Sequence, residues 1–155
     1  MLANVEIIGN PKESINRAYD ISISAREELL VAFPTVNAFR RNMRTGISMQ
    51  LLKEEYSKDN VRLRILTPVD NQIMQIIEEL RKVLSGLGFR SINESTESNR
   101  IIIVLADRKE SLIVETKDNM YEAAGLSKYS NNKVIVWSYL ATFETLWRQS
   151  QSLIP

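Results

Sequence analysis

Ile101-Ile102-Ile103-Val104-Leu105-Ala106 is a run of six apolar residues with no polar interruption. A half-exposed strand alternates apolar with polar, and a surface helix shows a stripe; a short unbroken run suits a central strand covered on both faces. Such a strand needs a layer above and a layer below it, so this one stretch calls for a sandwiched sheet. The run stops at Asp107-Arg108-Lys109-Glu110, and a half-polar run, Ser111-Leu112-Ile113-Val114-Glu115, leads away from it. The charged tetrapeptide is then either a solvated hairpin tip or the carboxyl end of a buried strand, where open α/β sheets place their ligands.

The rest of the chain supplies the layers. Asn10-Pro11-Lys12-Glu13 has a capping residue, a first-turn proline and a first-turn carboxylate, which predicts a helix over 11–25 with Ile15, Ala18, Tyr19 and Ser22 on one face. Leu29 to Phe33 reads as a short buried strand closed by Pro34. Asn37 is a candidate cap for a second helix in which Phe39, Met43, Ile47 and Leu51 recur every four residues, weakened by Thr45-Gly46. Val61, Leu63 and Ile65 alternate with arginines as a strand. Asp70 caps a third helix with Ile73, Ile76, Ile77, Leu80, Leu84 and Leu87 on one stripe, ended by Gly86 and Gly88. Phe89 to Ile92 reads as a strand and 93–99 as a polar loop. Val136, Leu140, Phe143 and Trp147 define the inner face of a last helix over 133–151. Helices alternating with strands predict an α/β domain with an open mixed, mostly parallel sheet of about five strands, helices on both faces and one hairpin.

Composition narrows the chemistry. At 155 residues, 44% hydrophobic and 25% charged, the chain suits one globular domain over 1–155, and no apolar run is long enough to span a bilayer. A formal charge of +1 offers no field for nucleic acid or an anionic membrane. There is no cysteine and no histidine, so the commonest metal ligand and the commonest neutral-pH base are both missing. Serine–histidine and cysteine–histidine nucleophilic centres cannot be built, and no cofactor or metal is expected.

The local motifs each have a plain reading beside a functional one. Arg40, Arg41 and Arg44 near a helix start would hold an anion or simply form an exposed helix face; no glycine-rich phosphate loop accompanies them. Gly125 to Asn132 is rich in short hydrogen-bonding side chains, which can line a pocket or cap the last helix. Trp137, Phe143 and Trp147 at helical spacing read as core.

Glu28 to Phe39, Val61 to Pro68, Asp107 to Glu115, Gly125 to Asn131 and Phe143 to Trp147, taken together, resemble the sensor region that precedes the kinase core in archaeal (thaumarchaeal) sensor histidine kinases. More distantly the pattern is similar to phospholipase D-like domains and to the effector domains of TrmB-type archaeal transcription regulators. A phospholipase D half-site reads His-x-Lys with Asp five positions after the lysine. With Asp107 set on that Asp, its histidine and lysine positions fall on Arg100 and Ile102. Arginine stays protonated and cannot replace the nucleophilic imidazole, so this resemblance implies the fold without the chemistry.

The resemblance implies a non-catalytic input domain that senses a small ligand or partner domain and relays a change through its last helix to a kinase core in the same polypeptide. A metabolite-binding effector of a TrmB-type regulator is the alternative. A homodimer, no nucleic acid and no membrane insertion are expected, with a cytoplasmic place or, alternatively, an extracytoplasmic one. Any pocket is expected at the carboxyl ends of the strands, drawing on Thr35, Asn37, Arg40, Arg41, Thr67, Asp70 and Asp107, with Ser127 and Tyr129, and biased by its arginines toward an anionic or polyol ligand.

Overall fold

Helix starts follow the capping chemistry closely. In the computed structural model, which describes residues 5–44, 61–84, 87–94, 100–116 and 126–152, Asn10 accepts from Lys12 N–H at 2.9 Å and opens α1 (Pro11–Ser24). Asp70 accepts from Ile73 N–H at 2.9 Å and opens α3 (Asn71–Val83). Asn132 accepts from Val134 and Ile135 N–H and opens α4 (Lys133–Gln149). The start of α2 (Val36–Arg44) differs from the reading: Thr35 Oγ1 accepts from Ala38 N–H at 3.1 Å, so Thr35 does the capping and Asn37 lies inside the first turn. Ile47, Leu51, Thr45-Gly46, Gly86 and most of the polar loop before Arg100 lie outside the described residues.

The strands are β1 (Val5–Ile8), β2 (Glu28–Ala32), β3 (Arg62–Thr67), β4 (Leu87–Ser91), β5 (Arg100–Ala106), β6 (Glu110–Thr116), β7 (Ser127–Ser130) and β8 (Gln151–Ser152). They form one sheet in the order β1-β7-β6-β5-β2-β3-β4-β8. The α/β class and the central place of 101–106 hold, but the sheet has eight strands rather than about five. Nor is it mostly parallel: β2, β3 and β4 run parallel, while every other pairing is antiparallel. The additional strands β1, β7 and β8 are two to four residues long, too short for a period-two pattern to show. Ser127-Lys128-Tyr129-Ser130 in particular looks like a loop by composition, yet it pairs residue for residue with Ser111 to Val114 of β6.

Period-two alternation splits the central strands between two cores. Leu29, Leu63, Ile65, Val104 and Leu112 face α1, α2 and α3, packing with Ile21, Phe39, Ile73, Ile77 and Leu80. Leu30, Leu66, Ile103, Leu105 and Ile113 face α4, whose Val136 and Phe143 are fully buried. Phe39 is held edge-on by Phe33 and Phe89, with centroids 5.3 and 6.2 Å away. Leu87 belongs to β4 rather than to the α3 stripe, because the helix has already ended at Val83. Trp137 is not core: it stands 59% exposed on the outer side of α4.

The C-terminal half of α4 is fastened by a stack of cations and rings. Arg64 on β3 lies 5.4 Å from the Phe143 centroid and 5.1 Å from that of Trp147, and it pairs with Glu144 through both carboxylate oxygens. Arg90 on β4 covers Trp147 at 5.3 Å and donates to Ser150 Oγ at 2.6 Å and to its carbonyl at 2.9 Å. Gly88 makes room for this stack, since a Cβ there would stand 3.2 Å from Arg64 Cγ and 3.3 Å from Trp147 Cη2.

Candidate functional site

The parallel trio β2–β4 delivers its carboxyl ends to one edge of the sheet. Phe33 N–H donates to the Leu66 carbonyl at 2.8 Å and Ile92 N–H to the Thr67 carbonyl at 3.2 Å, so the three exits are tied side by side. A cavity of about 550 Å³ opens there, walled by Val36 on α2, Pro68 to Asp70 before α3, Ser91 to Glu94 after β4, and Gln149 and Gln151 at the end of α4. That volume suits a small molecule.

Two carboxylates face this space, and both already serve helix N-termini. Glu94 Oε1 accepts from Val36 N–H at 3.1 Å. Asp70 caps α3 and forms an ion pair with Arg40. Arg40 also donates to Gln72 at 3.1 Å and to Asn37 Oδ1 at 3.3 Å, so its charge is met from three sides. The positive ends of the α2 and α3 dipoles are thereby met by the chain's own anions. The remaining polar wall is neutral: Ser91, Asn93, Gln149 and Gln151. An anionic ligand would have to displace a carboxylate, whereas hydroxyl groups find donors and acceptors ready.

Of the residues singled out from sequence, Thr35, Asn37, Arg40, Thr67 and Asp70 gather at this edge. Asp70 lines the cavity, while Thr35 and Thr67 are buried beside it, with Thr67 Oγ1 donating to the Pro68 carbonyl at 2.9 Å. Arg41 lies along α2 and donates to the Asn37 carbonyl at 3.5 Å. The other three do not join them. Ser127 Oγ is buried beneath α1 against Ser14 Oγ at 2.6 Å. Tyr129 donates to Glu110 at 2.8 Å with the Arg17 guanidinium 4.8 Å from its ring; burial, reinforced by that carboxylate, pushes the phenol up to about 12.

Asp107 lies at the opposite edge, because β5 runs antiparallel to β2 and brings Ala106 beside Leu29. The length of β2, about 13 Å, separates it from the cavity edge. Its carboxylate accepts from the backbone N–H groups of Arg26 at 2.9 Å, Glu27 at 2.7 Å and Glu28 at 2.9 Å. Burial alone would raise its pKa, but these donors outweigh burial and hold it below the ordinary value of 3.8. Asp107 and Arg108 both have positive φ, 54° and 59°, as the central residues of a type I′ hairpin turn do. Arg108 Nε sits 2.9 Å from the carboxylate of buried Glu28 in an ionic contact that is not aligned as a hydrogen bond. The charged tetrapeptide is a hairpin tip stitched to the start of β2.

The cavity residues that sequence reasoning passed over are Ser91 to Glu94, Gln149 and Gln151, besides the apolar Val36, Pro68 and Val69. The first group carried a signal, a polar segment directly after a parallel strand. Arg100 and Ile102, the positions aligned with the phospholipase D histidine and lysine, lie on β5; Ile102 packs into the core under α1.

The chain's fold is phospholipase D-like. It is similar to TrmBL2, an archaeal chromatin protein with a novel mode of DNA binding, at a TM-score of 0.65 and 14% identity over 96% of this chain and 54% of that one. It is also similar to NucT from Helicobacter pylori, at 0.63 and 9% identity over 98% and 100% of the two chains. Nuc from Salmonella typhimurium, a phospholipase D family member, gives 0.59 and 11% over 97% and 98%. The chain thus spans about half of TrmBL2, and at these identities the likeness is one of fold. No family model matches the sequence, and no curated protein matches it.

Proposed function

We propose that this chain is a non-catalytic sensing domain that binds a neutral, hydroxyl-rich ligand in the cavity at the carboxyl ends of β2–β4 and passes the change to α4. The observation that carries this reading is that Gln149 and Gln151, on either side of the α4 terminus, form part of the cavity wall. An occupant there touches the output element directly, and the cation–ring stack makes that element stiff enough to move as a unit. The absence of histidine from the whole chain supports a role without covalent phosphodiester chemistry. The resemblance to archaeal sensor kinases makes a kinase core in the same polypeptide the first candidate for output, and the net charge of +1 supports a partner other than nucleic acid.

The test is calorimetric titration of the chain with mono- and disaccharides on one side and with phosphate and citrate on the other, repeated with Asn93→Ala and Gln149→Ala. Saccharide binding that both substitutions weaken supports the reading; binding of the anions alone, or no binding to either set, removes it.

A second reading is favoured by the likeness to TrmBL2: the same cavity would serve the effector domain of a transcription regulator. A winged helix encoded upstream selects it, and a kinase core encoded downstream selects the first.

A further inference from the structure

The inner face of α4 is occupied by the sheet; its outer face is unusual for a helix open to water. Val134, Trp137, Ser138, Ala141, Thr142 and Thr145 are all exposed, and together they form one stripe at spacings of three and four. Val134 is 73% and Trp137 59% exposed, in a position where charged side chains are the norm. Between Lys133 and Arg148 the one charged residue is Glu144, which is turned to Arg64. The hydroxyls of Ser138 and Thr142 are satisfied within the helix, donating to the carbonyls of Val134 at 2.9 Å and Ser138 at 3.1 Å. From Val134 to Thr142 the stripe therefore presents carbon outward, and at its end the Thr145 hydroxyl accepts from Arg148 at 3.4 Å.

The stripe is also graded. Its N-terminal half carries the one large ring, Trp137, beside Val134 and Ser138, and its C-terminal half carries Ala141, Thr142 and Thr145 with no ring among them. Trp137, four positions before Ala141, is matched by the small Thr145 four positions after it. We propose that this face pairs with the same face of a second copy, with the two helices antiparallel about a two-fold axis at Ala141. Trp137 of each copy then lies over the small residues around Thr145 of the other. A parallel pair would instead set Trp137 against Trp137 and leave the small residues apart. A strongly charged partner finds no counter-charge between Val134 and Thr142, with Arg148 only at the stripe's end, whereas a second copy needs none.

The contact is modest. Seventeen residues make a rod about 25 Å long, and one helix pair buries less than the roughly 800 Å² per partner of a standard stable interface. The dimer is therefore weak and concentration-dependent. This inference does not depend on what the cavity binds.

Sedimentation velocity over a series from low micromolar to millimolar concentration tests it, with Trp137→Glu and Ala141→Arg as variants and thermal melting as the check that these exposed substitutions leave the fold intact. The chain has no cysteine, so Ala141→Cys places a single thiol on the proposed axis and Val134→Cys a single thiol far from it. Expected are a mass rising toward two chains for the parent, a monomer for both charged variants, and oxidative cross-linking of the Ala141→Cys protein but not of the Val134→Cys protein. A parent that stays monomeric at every concentration overturns the proposal. So does a dimer that the charged substitutions leave unchanged, and so does cross-linking at Val134→Cys in place of Ala141→Cys.

Discussion

Asp107 and Glu28 hold each other twice: Asp107 Oδ1 accepts from Glu28 N–H at 2.9 Å, and Asp107 N–H donates to the Glu28 carbonyl at 3.0 Å. Removing the carboxylate leaves three backbone donors without it. Asp107→Ala is expected to destabilise by about 2 kcal/mol, the range for hydrogen bonds to a charged group at a half-exposed site. Because the folded-state pKa is depressed, this contribution is present above the ordinary value of 3.8 and is lost as pH falls through the lower folded value. Urea denaturation from neutral pH down to about 2.5 should therefore show a steeper acid loss for the parent than for Asp107→Asn. Equal slopes would refute the assignment.

At Arg108 two effects oppose each other. Glycine would relieve the left-handed φ, a gain of about 1 kcal/mol. It would also remove the cation beside the buried Glu28 carboxylate, and stranding a buried charge costs more than that. Arg108→Gly alone should destabilise, while Arg108→Gly combined with Glu28→Gln should be at least as stable as the parent. A double variant weaker than the single one would show that the ion pair is not what matters.

Gly88→Ala presses on Arg64 and Trp147, and a ring held between Phe143 and two guanidinium groups has little room to yield. The expected loss is about 1 kcal/mol. Trp147 is half-buried rather than fully buried, so Trp147→Ala should cost about 2–3 kcal/mol, below the value for a completely enclosed ring. In the Trp147→Ala background the cost of the Gly88 substitution should shrink, leaving only the contact with Arg64; full additivity in a thermal-melt cycle would count against the contact with Trp147.

Tyr129 provides an alkaline signature. Its pKa is raised to about 12 from 10.0, so its contribution is complete below the ordinary value and is lost as pH rises through the higher one. Ultraviolet titration of the native chain should show a late-ionising step that is absent from Tyr129→Phe, and that variant should lose less stability over the same alkaline span.

The sequence showed best what was long or chemically specific. The run 101–106 and the caps at Asn10 and Asp70 were legible because each states a local requirement that no other element satisfies. The strand at 127–130 was not, because four residues of Ser-Lys-Tyr-Ser carry no periodicity and become a strand only by pairing with β6. Asp107 was visible as a residue with a role, but its direction was not, since an antiparallel β5 and a parallel one look the same along the chain. The cavity was half legible. Its strand-end residues could be named, yet Gln149 and Gln151 reach it only because α4 crosses the whole sheet.

The tie at Asp107 also bears on the order in which the chain acquires its structure. The β5–β6 hairpin closes over a three-residue turn, 107–109, and hairpins of this kind form within about 1–10 μs. The partner strand β2 lies some eighty positions earlier, and loop closure over that span is slow to be repaid by contacts. Asp107 stands where the fast local event meets the slow distant one, offering three ready acceptor contacts to the arriving backbone of residues 26–28. Its loss should therefore appear mainly as a slower refolding limb, with the unfolding rate nearly unchanged, which would make a carboxylate at a hairpin tip part of the folding nucleus.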